Sequence, residues 1–508
     1  MSGRAPGGRR IRVDPDRVPV RGEDRSVLLV IAVLVVAGGL LTAAGMRSST
    51  PAETVERPRT SPISVLAQAC PVPSRVRVRE GTWIGTGTVR LDGAAPVSGE
   101  GSPAKAVATA LPGGASVNGL EVSSRGDWLQ QAAGNKARAF LLTSSGSLAP
   151  GHVAFSATRA GPGLGGGLAV SSCATSADES WFVGADSSAE ERSRLVLTNL
   201  SESPAVARVR LFGATGPLDA VRANGIVVAP SSTKVIRVED LVAGEQDVAL
   251  NVSVLRGALA TAVFAASTTA GARGSDWIGP AAPPSTTQVV PAVVPRTTGR
   301  TLLVTNPGDR TASATVTVAG ADGPFTATGL DRIRVKPQSV AAVDIPSSVG
   351  AKVAALTVTS DVPVTASVLQ SSRGPASDSA VASAGVPLTA TGVLPLEVGG
   401  SLADPRVTLV LSSLPDAPQT SVRVTARDRS GRARGMTTVT VRPGSTVTLD
   451  PAKDKELDLP AKISYLTVDA ADVGVLVAGI YQSPAGVAVL GVADAPATVE
   501  APAVTSAG

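Results

Sequence analysis

This 508-residue chain is poor in the histidine, cysteine and aromatic side chains on which many active sites depend. The chain has one histidine, His152, in the segment SLAPGHVAF, and no nearby serine or acid follows a nucleophile pattern such as GxSxG. A single histidine also excludes metal sites built from histidine clusters. We interpret His152 as a surface residue at the start of a strand. We predict that the chain is not an enzyme and has no catalytic, cofactor-binding or metal-binding residues.

The acidic residues do not form a pattern typical of a hydrolytic or calcium-binding site. Residues 450–458 (DPAKDKELD) combine four acids, but two lysines interrupt them and their spacing differs from that of an EF-hand loop. Glycoside hydrolases place paired carboxylates in a cleft, and sugar sites usually add aromatic platforms, whereas aromatic residues make up 2% of this chain. We therefore interpret residues 450–458 as a solvated turn.

The two cysteines, Cys70 and Cys173, both follow the apolar N-terminal segment described below, which predicts that both lie in an exported part of the chain. Cysteine pairs in exported proteins are usually oxidised. We predict a Cys70–Cys173 disulfide, which would close a loop of about 100 residues and contribute ~4–5 kcal/mol in the chain-entropy model. The alternative is a pair of buried free thiols.

Two of the four tryptophans follow similar segments of sequence. Trp181 begins WFVG after LAVSSC, and Trp277 begins WIG after VFAAS. We predict that Trp181 and Trp277 occupy equivalent places at domain junctions, where large aromatic side chains fill the seam.

The scarcity of aromatic residues and the modest net charge of +5 argue against a nucleic-acid surface, which combines a basic patch with aromatic stacking.

An apolar segment near the N-terminus predicts a membrane anchor. Residues 27–46 are long enough, at about 1.5 Å per residue, to cross a bilayer core of about 30 Å. The preceding tail has more arginines than acids, which predicts that the N-terminus stays in the cytoplasm. We predict a single-pass cell-membrane protein with its bulk outside the cytoplasm. The alternative is cleavage near Thr42-Ala43-Ala44, which would release the chain.

One pattern of sequence occurs three times, in residues 195–264, 302–369 and 408–481. The period of about 106 residues exceeds that of stacked solenoid repeats and is typical of whole small domains. Apolar and polar residues alternate over short runs separated by turn residues, which predicts β-sandwiches. Residues 65–174 resemble a divergent fourth copy. The predicted fold is all-β, with tandem immunoglobulin-like β-sandwich domains behind one N-terminal transmembrane helix.

Each repeat has predicted turns at matching positions. Its first strand ends in a polar turn, at Asn199, Asn306 or Ser413. Its last two strands are expected to meet at a tight turn, such as the one predicted at residues 360–363.

The predicted domains follow one another without overlap. They are a basic cytoplasmic tail (1–25), a transmembrane helix (26–46), a flexible stalk (47–64), a divergent β domain with the disulfide (65–180), three β-sandwich repeats (181–288, 289–395 and 396–495) and a disordered tail (496–508).

The basic tail, the single apolar segment, the cysteine soon after the stalk and the repeated LVxTNPGD…VxPxS units resemble an exported, signal-anchored actinobacterial family of unknown function. The resemblance implies a cell-envelope protein with tandem β-sandwich repeats, and it supplies no active site.

These features favour a non-enzymatic, membrane-anchored scaffold or protein-interaction module, with the sandwiches arranged as a rod. The predicted partner is another envelope protein or a wall polymer. A cell-wall or carbohydrate-binding structural protein is the first alternative, and an exported enzyme with an unrecognised site is the second.

Overall fold

The computed structural model of the protein describes residues 30, 32–35, 59–73, 81–91, 104–133, 137–161, 166–189, 191–267, 274–295, 297, 299–372, 378–399, 405–457, 463–470 and 474–501. The chain divides into two compact units, Met1–Thr60 with Glu500–Gly508, and Ser61–Val499. In the first unit, residues 30 and 32–35 are helical, and the rest of the predicted anchor, 26–46, lies outside the described residues. No helix within the described part is long and apolar enough to span a membrane.

The described structure is nearly all-β, which confirms the predicted class. We call the four successive groups of strands modules 1 to 4. After β1 (Arg59–Pro62), module 1 contains β2 (Val65–Pro71), β3 (Gly81–Thr88), β4 (Lys105–Leu111), β5 (Ala115–Ser116), β6 (Trp128–Ala132), β7 (Ala139–Ser145), β8 (His152–Ala160) and β9 (Gly167–Ser172). Module 2 contains β10 (Glu179–Ala185), β11 (Glu191–Asn199), β12 (Ala205–Gly213), β13 (Gly216–Leu218), β14 (Ile226–Val228), β15 (Thr233–Arg237), β16 (Val248–Arg256), β17 (Leu259–Ser267) and β18 (Ser275–Ile278).

The strands of modules 3 and 4 follow in the same way. Module 3 contains β19 (Ser285–Val293), β20 (Gly299–Asn306), β21 (Ala312–Gly320), β22 (Gly323–Phe325), β23 (Ile333–Val335), β24 (Ser339–Asp344), β25 (Ala354–Ser371) and β26 (Ser379–Ser383). Module 4 contains β27 (Thr391–Pro395), β28 (Arg406–Ser413), β29 (Thr420–Asp428), β30 (Ala433–Val441), β31 (Thr446–Leu449), β32 (Ile463–Asp469), β33 (Val475–Ser483) and β34 (Gly486–Val492), and β35 (Thr498–Ala501) comes after it. Short 3-10 helices cover Gly146–Leu148, Val221–Ala223, Val238–Asp240 and Ser347–Gly350.

Modules 1, 2 and 4 each have two antiparallel sheets with the same strand order. In module 2 the orders are β10-β16-β12-β13 and β15-β11-β17-β18. Module 1 repeats them as β2-β7-β4-β5 and β6-β3-β8-β9, and module 4 repeats them as β27-β32-β29-β30 and β31-β28-β33-β34. Residues alternate between buried and exposed along a strand, as from Ala312 to Val318 in β21. The buried residues of both sheets form one core, as Leu195 of β11 and Leu250 of β16 do in module 2.

Module 3 departs from this plan because β25 runs unbroken through both of its sheets. Its first part pairs with β19 and β21, and its second part pairs with β20 and β26. The predicted tight turn at residues 360–363 is therefore wrong. The corresponding strands of modules 2 and 4 are separate, and Gly257 and Gly474 stand between them with φ of 82° and 67°. Glycine adopts this conformation without strain, and module 3 has no glycine there.

The polar turns at the strand ends of modules 2 and 3 are built around one asparagine each. The Asn306 amide nitrogen lies 2.6 Å, 3.2 Å and 3.1 Å from the carbonyl oxygens of Arg310, Val335 and Lys336. Its side-chain oxygen accepts from the amide of Gly308 at 3.0 Å. Asn199 makes the matching contacts in module 2, to Ser203, Val228 and Ala229. Buried asparagines thus tie each strand end to the loop that follows it and to the chain at the end of β14 or β23.

Neighbouring modules share buried apolar clusters. Module 1 meets module 2 where Ala169 packs with Trp277, module 2 meets module 3 where Trp181 packs with Leu303, and module 3 meets module 4 where Val289 packs with Leu476.

Module 4 also packs against module 1, so each module contacts two others and the contacts run from module 1 through modules 2, 3 and 4 back to module 1. The rings of Trp128 in module 1 and Tyr465 in module 4 lie 5.1 Å apart. The Trp128 amide donates to the carbonyl of Arg429 at 2.8 Å, and the Tyr465 hydroxyl donates to the carbonyl of Gly126 at 3.2 Å. The expected rod is therefore wrong. Modules 1 to 4 form a closed ring within the unit Ser61–Val499.

We predict that Asn306→Ala lowers the free energy of unfolding by about 2–4 kcal/mol, because one buried and two half-buried carbonyl oxygens lose their donor. The exposed Asp331→Ala in the same module is the control and should change stability by less than about 0.5 kcal/mol. Urea denaturation of the full-length chain measures both. Equal stability of the two variants would show that the Asn306 contacts do not stabilise the module.

Candidate functional site at the meeting point of the four modules

The two cysteines form a disulfide in module 1. Cys70 lies on β2, and Cys173 follows β9 directly. The neighbouring residues Ala69 and Ala174 are joined by a β-bridge. The disulfide therefore links the first strand of module 1 to the end of its last strand.

Trp181 and Trp277 are both buried, but they are not equivalent. Trp181 lies on β10, the first strand of module 2, and Trp277 lies on β18, the last strand of the same module. Trp181 stacks on Phe212 with 5.6 Å between the ring centroids, and Trp277 packs on Phe264 at 4.8 Å. The predicted equivalence is wrong because similar short strings of residues occur on different strands. Each tryptophan nevertheless packs against residues of an adjoining module.

His152 begins β8, as predicted, but it is not on the surface. Its side chain is 1% exposed, and its Nε2 lies 2.9 Å from the hydroxyl oxygen of Thr86. Burial lowers the pKa of His152 to about 4, because desolvation disfavours the charged imidazolium. The imidazole is therefore a neutral member of the module 1 core.

The residues from 450 to 457 form a turn stabilised by local contacts. Asp454 accepts from the amides of Glu456 and Leu457 at 2.9 Å and 3.1 Å, and Asp450 pairs with Arg406. The described part of the chain contains no group of three or more residues that could hold a metal ion.

The last strands of the four modules meet at one place. We call β9, β18, β26 and β34 the closing strands. β9 contacts β18, β18 contacts β26, β26 contacts β34, and β34 contacts β9. Each closing strand pairs with the preceding long strand of its own module, so the same register recurs four times.

One side chain lies at the centre of the closing strands. The Asp378 carboxylate accepts hydrogen bonds from four backbone amides, one from each module. Oδ2 accepts from Leu168 at 3.0 Å and from Val487 at 2.8 Å. Oδ1 accepts from Ser275 at 3.2 Å and from Ser379 at 2.9 Å. Asp378 is 0% exposed, so these amides take the place of water around the carboxylate.

The position of Asp378 is glycine in the other three modules. Gly167, Gly274 and Gly486 each precede the residue whose amide donates to the carboxylate. A Cβ atom on any of them would overlap the Asp378 carboxylate. Three positions without side chains therefore leave the space that the fourth side chain fills.

A second buried acid, Asp276, connects modules 2 and 3. Its carboxylate accepts from the amide of Val381 on β26 at 3.0 Å and from its neighbour Trp277 at 2.8 Å. Burial raises the pKa of Asp276 well above its ordinary value, and the nearby Asp378 raises it further. For Asp378, burial raises the pKa to about 7, while the four amide donors act in the opposite direction.

Sequence reasoning missed this centre, although a signal was present. The four closing strands and the residues just before them read GLAVSS, GSDWIG, DSAVAS and GVAVLG. Aligned, they show three glycines and one aspartate at the first position. At the third position they show three alanines and one aspartate, Asp276.

The comparison with known families covers most of these strands. The model of the Family of unknown function (DUF5719) matches residues 129–452, more than half of the chain. The chain belongs to the DUF5719 family. The match includes Gly167, Gly274 and Asp378, and Gly486 lies beyond it. No curated protein matches the chain. The predicted resemblance to a family of unknown function is confirmed at this level, and its actinobacterial and exported character stays a prediction.

We predict from the ionisation of His152 that stability is lost in acid. The pKa of this residue is about 4 in the folded chain and about 6.5 in an unfolded chain, so the unfolded state binds the proton first. The contribution of His152 is complete above pH 6.5 and is lost as the pH falls towards 4. Because the chain has one histidine, an NMR titration of ¹³C-labelled imidazole reports it alone. A midpoint near 6.5 in the folded protein would contradict the buried site.

We predict that Gly486→Ala destabilises the DUF5719 chain by about 1–3 kcal/mol through overpacking. All three atoms nearest to the new Cβ belong to Asp378, so the cost should fall in an Asp378→Gly background. A double-mutant cycle by urea denaturation measures this coupling. Gly491→Ala on the same strand is the control, because its Cβ meets open space. Additive effects of the two substitutions would show that they do not meet.

Proposed function

We propose that this DUF5719 protein is a non-enzymatic, membrane-anchored scaffold of the cell envelope that binds another envelope protein. Residues 26–46 would anchor it, with the N-terminus in the cytoplasm and modules 1 to 4 outside. The closure of four modules around Asp378 carries this proposal, because it holds the surface loops of all four modules in constant relative positions. A body of this kind is suited to presenting a shaped surface to a partner.

Two further observations support the placement and the fold of the modules. A disulfide closes module 1, and such bonds persist in oxidising compartments outside the cytoplasm. The strand order shared by the modules supports immunoglobulin-like sandwiches as the finer description of their fold.

A wall polymer is the second candidate partner, and an arginine-rich hairpin favours it. The hairpin of β29 and β30 contains Arg429 and Arg432 in its turn and Arg434 near the start of β30. Arg429 pairs with Glu397 and Arg434 pairs with Asp428, while the backbone places Arg432 at the exposed tip. A surplus of positive charge at a module junction attracts anionic polymers.

In-cell crosslinking of the tagged full-length chain, followed by mass spectrometry, tests the scaffold proposal. We expect one reproducible envelope protein with the wild type and with Gly491→Ala. We expect a severalfold loss with Gly486→Ala, which disturbs the contacts around Asp378. Equal crosslinking by both variants would show that partner binding does not depend on the contacts around Asp378. If no protein is crosslinked, the proposal is overturned.

Co-sedimentation with purified anionic wall polymer tests the second candidate. Binding at low salt that weakens in Arg432→Ser and at higher ionic strength would support it. Retention of binding at high salt would show that charge is not its basis.

A further inference from the structure

The centre of the ring has the properties of an anion-binding site. Four backbone amides from four separate strands point at one carboxylate, two to each oxygen. Convergent amides of this kind bind anions elsewhere in proteins, because their dipoles supply partial positive charge without a cationic side chain. Among the described residues, no lysine or arginine forms an ion pair with Asp378.

Three of the four donors belong to modules other than that of Asp378. Leu168, Ser275 and Val487 lie 210, 103 and 109 residues away along the chain. The site therefore exists only when modules 1, 2 and 4 have been brought together with module 3. The carboxylate is joined to the chain covalently through Cβ and Cα of Asp378. Neither atom takes part in the hydrogen bonds that bind the carboxylate.

We propose that the four modules together form a binding site for one small carboxylate, and that Asp378 occupies it as a ligand supplied by module 3. Occupancy of this site holds the ring closed. The assignment rests on the geometry of the closing strands and does not depend on the envelope role proposed above.

The repeat itself indicates what happens when the ligand is removed. Asp378→Gly would make the fourth position match Gly167, Gly274 and Gly486, and the backbone tolerates glycine there. The four amides would then face a cavity with the shape of the lost side chain. Acetate has the same carboxylate group and one carbon in place of Cβ, and its methyl group lies at van der Waals distance from the glycine Cα instead of bonding distance. Acetate should therefore bind in the cavity and restore the closed ring.

The test is urea denaturation of full-length Asp378→Gly in detergent at pH 7, with sodium acetate, sodium chloride or acetamide added. Acetate binds only the folded state. Once the acetate concentration exceeds its dissociation constant, the folding equilibrium constant should therefore rise about tenfold for each tenfold increase in acetate concentration. Sodium chloride matches the ionic strength. Acetamide matches the shape, but it presents an N–H donor to amides that are donors themselves, so it should not rescue.

Two further variants control for general salt effects. Wild type should not respond beyond the chloride control, because Asp378 already fills the site. Asp494→Gly removes a carboxylate that accepts from the amides of Thr389 and Ala390 within module 4, in a region open to water. This variant should lose stability without rescue by acetate.

If Asp378→Gly does not fold alone, its refolding yield in acetate and in acetamide is compared instead, and a higher yield in acetate supports the proposal. Equal effects of acetate and acetamide on Asp378→Gly would overturn it. An acetate effect of the same size on wild type or on Asp494→Gly would also overturn it.

Discussion

The structure of the 61–499 unit depends on one buried carboxylate that accepts four backbone hydrogen bonds. The amides of the closing strands are removed from water where the modules meet, and a buried amide without an acceptor costs about 1–3 kcal/mol. Asp378 supplies an acceptor to all four at once. The packing of each module on the next, and the contact of Trp128 with Tyr465 that closes the ring, bring these amides to the same point.

The same physics explains why the repeat must be broken at this position. Four aspartates would place four like charges in one buried space, which their mutual repulsion and desolvation forbid. Four glycines would leave four amides without acceptors. One aspartate among three glycines satisfies every donor with one charge. Asp276 breaks the repeat in a similar way, since it stands where the other modules have alanine and binds the amide of Val381 in module 3.

The scarce aromatic residues concentrate where modules join. Trp128 lies between Phe155 and Tyr465, Trp181 stacks on Phe212, and Trp277 packs on Phe264. Module surfaces made of alanine, valine and threonine bury little area per side chain when they meet. An aromatic side chain buries more surface than any of these. Together with the central carboxylate, these contacts make one body of four modules, which is the property on which the scaffold proposal rests.

The sequence by itself determined the all-β class, because the two-residue alternation of buried and exposed side chains is a local property of each strand. The polar turns at Asn199 and Asn306 were also predictable, since polar residues at a strand end indicate a turn locally. Their contacts with Val228 and Val335, 29 residues further along the chain, were not. Tertiary structure alone decided the continuity of β25, the burial of His152, the different strands of Trp181 and Trp277, and the ring in place of a rod. Each of these depends on which strands meet across long separations in the chain, such as the 66 residues between Thr86 and His152. Asp378 shows this most clearly, because its role appears only when the closing strands of all four modules lie side by side.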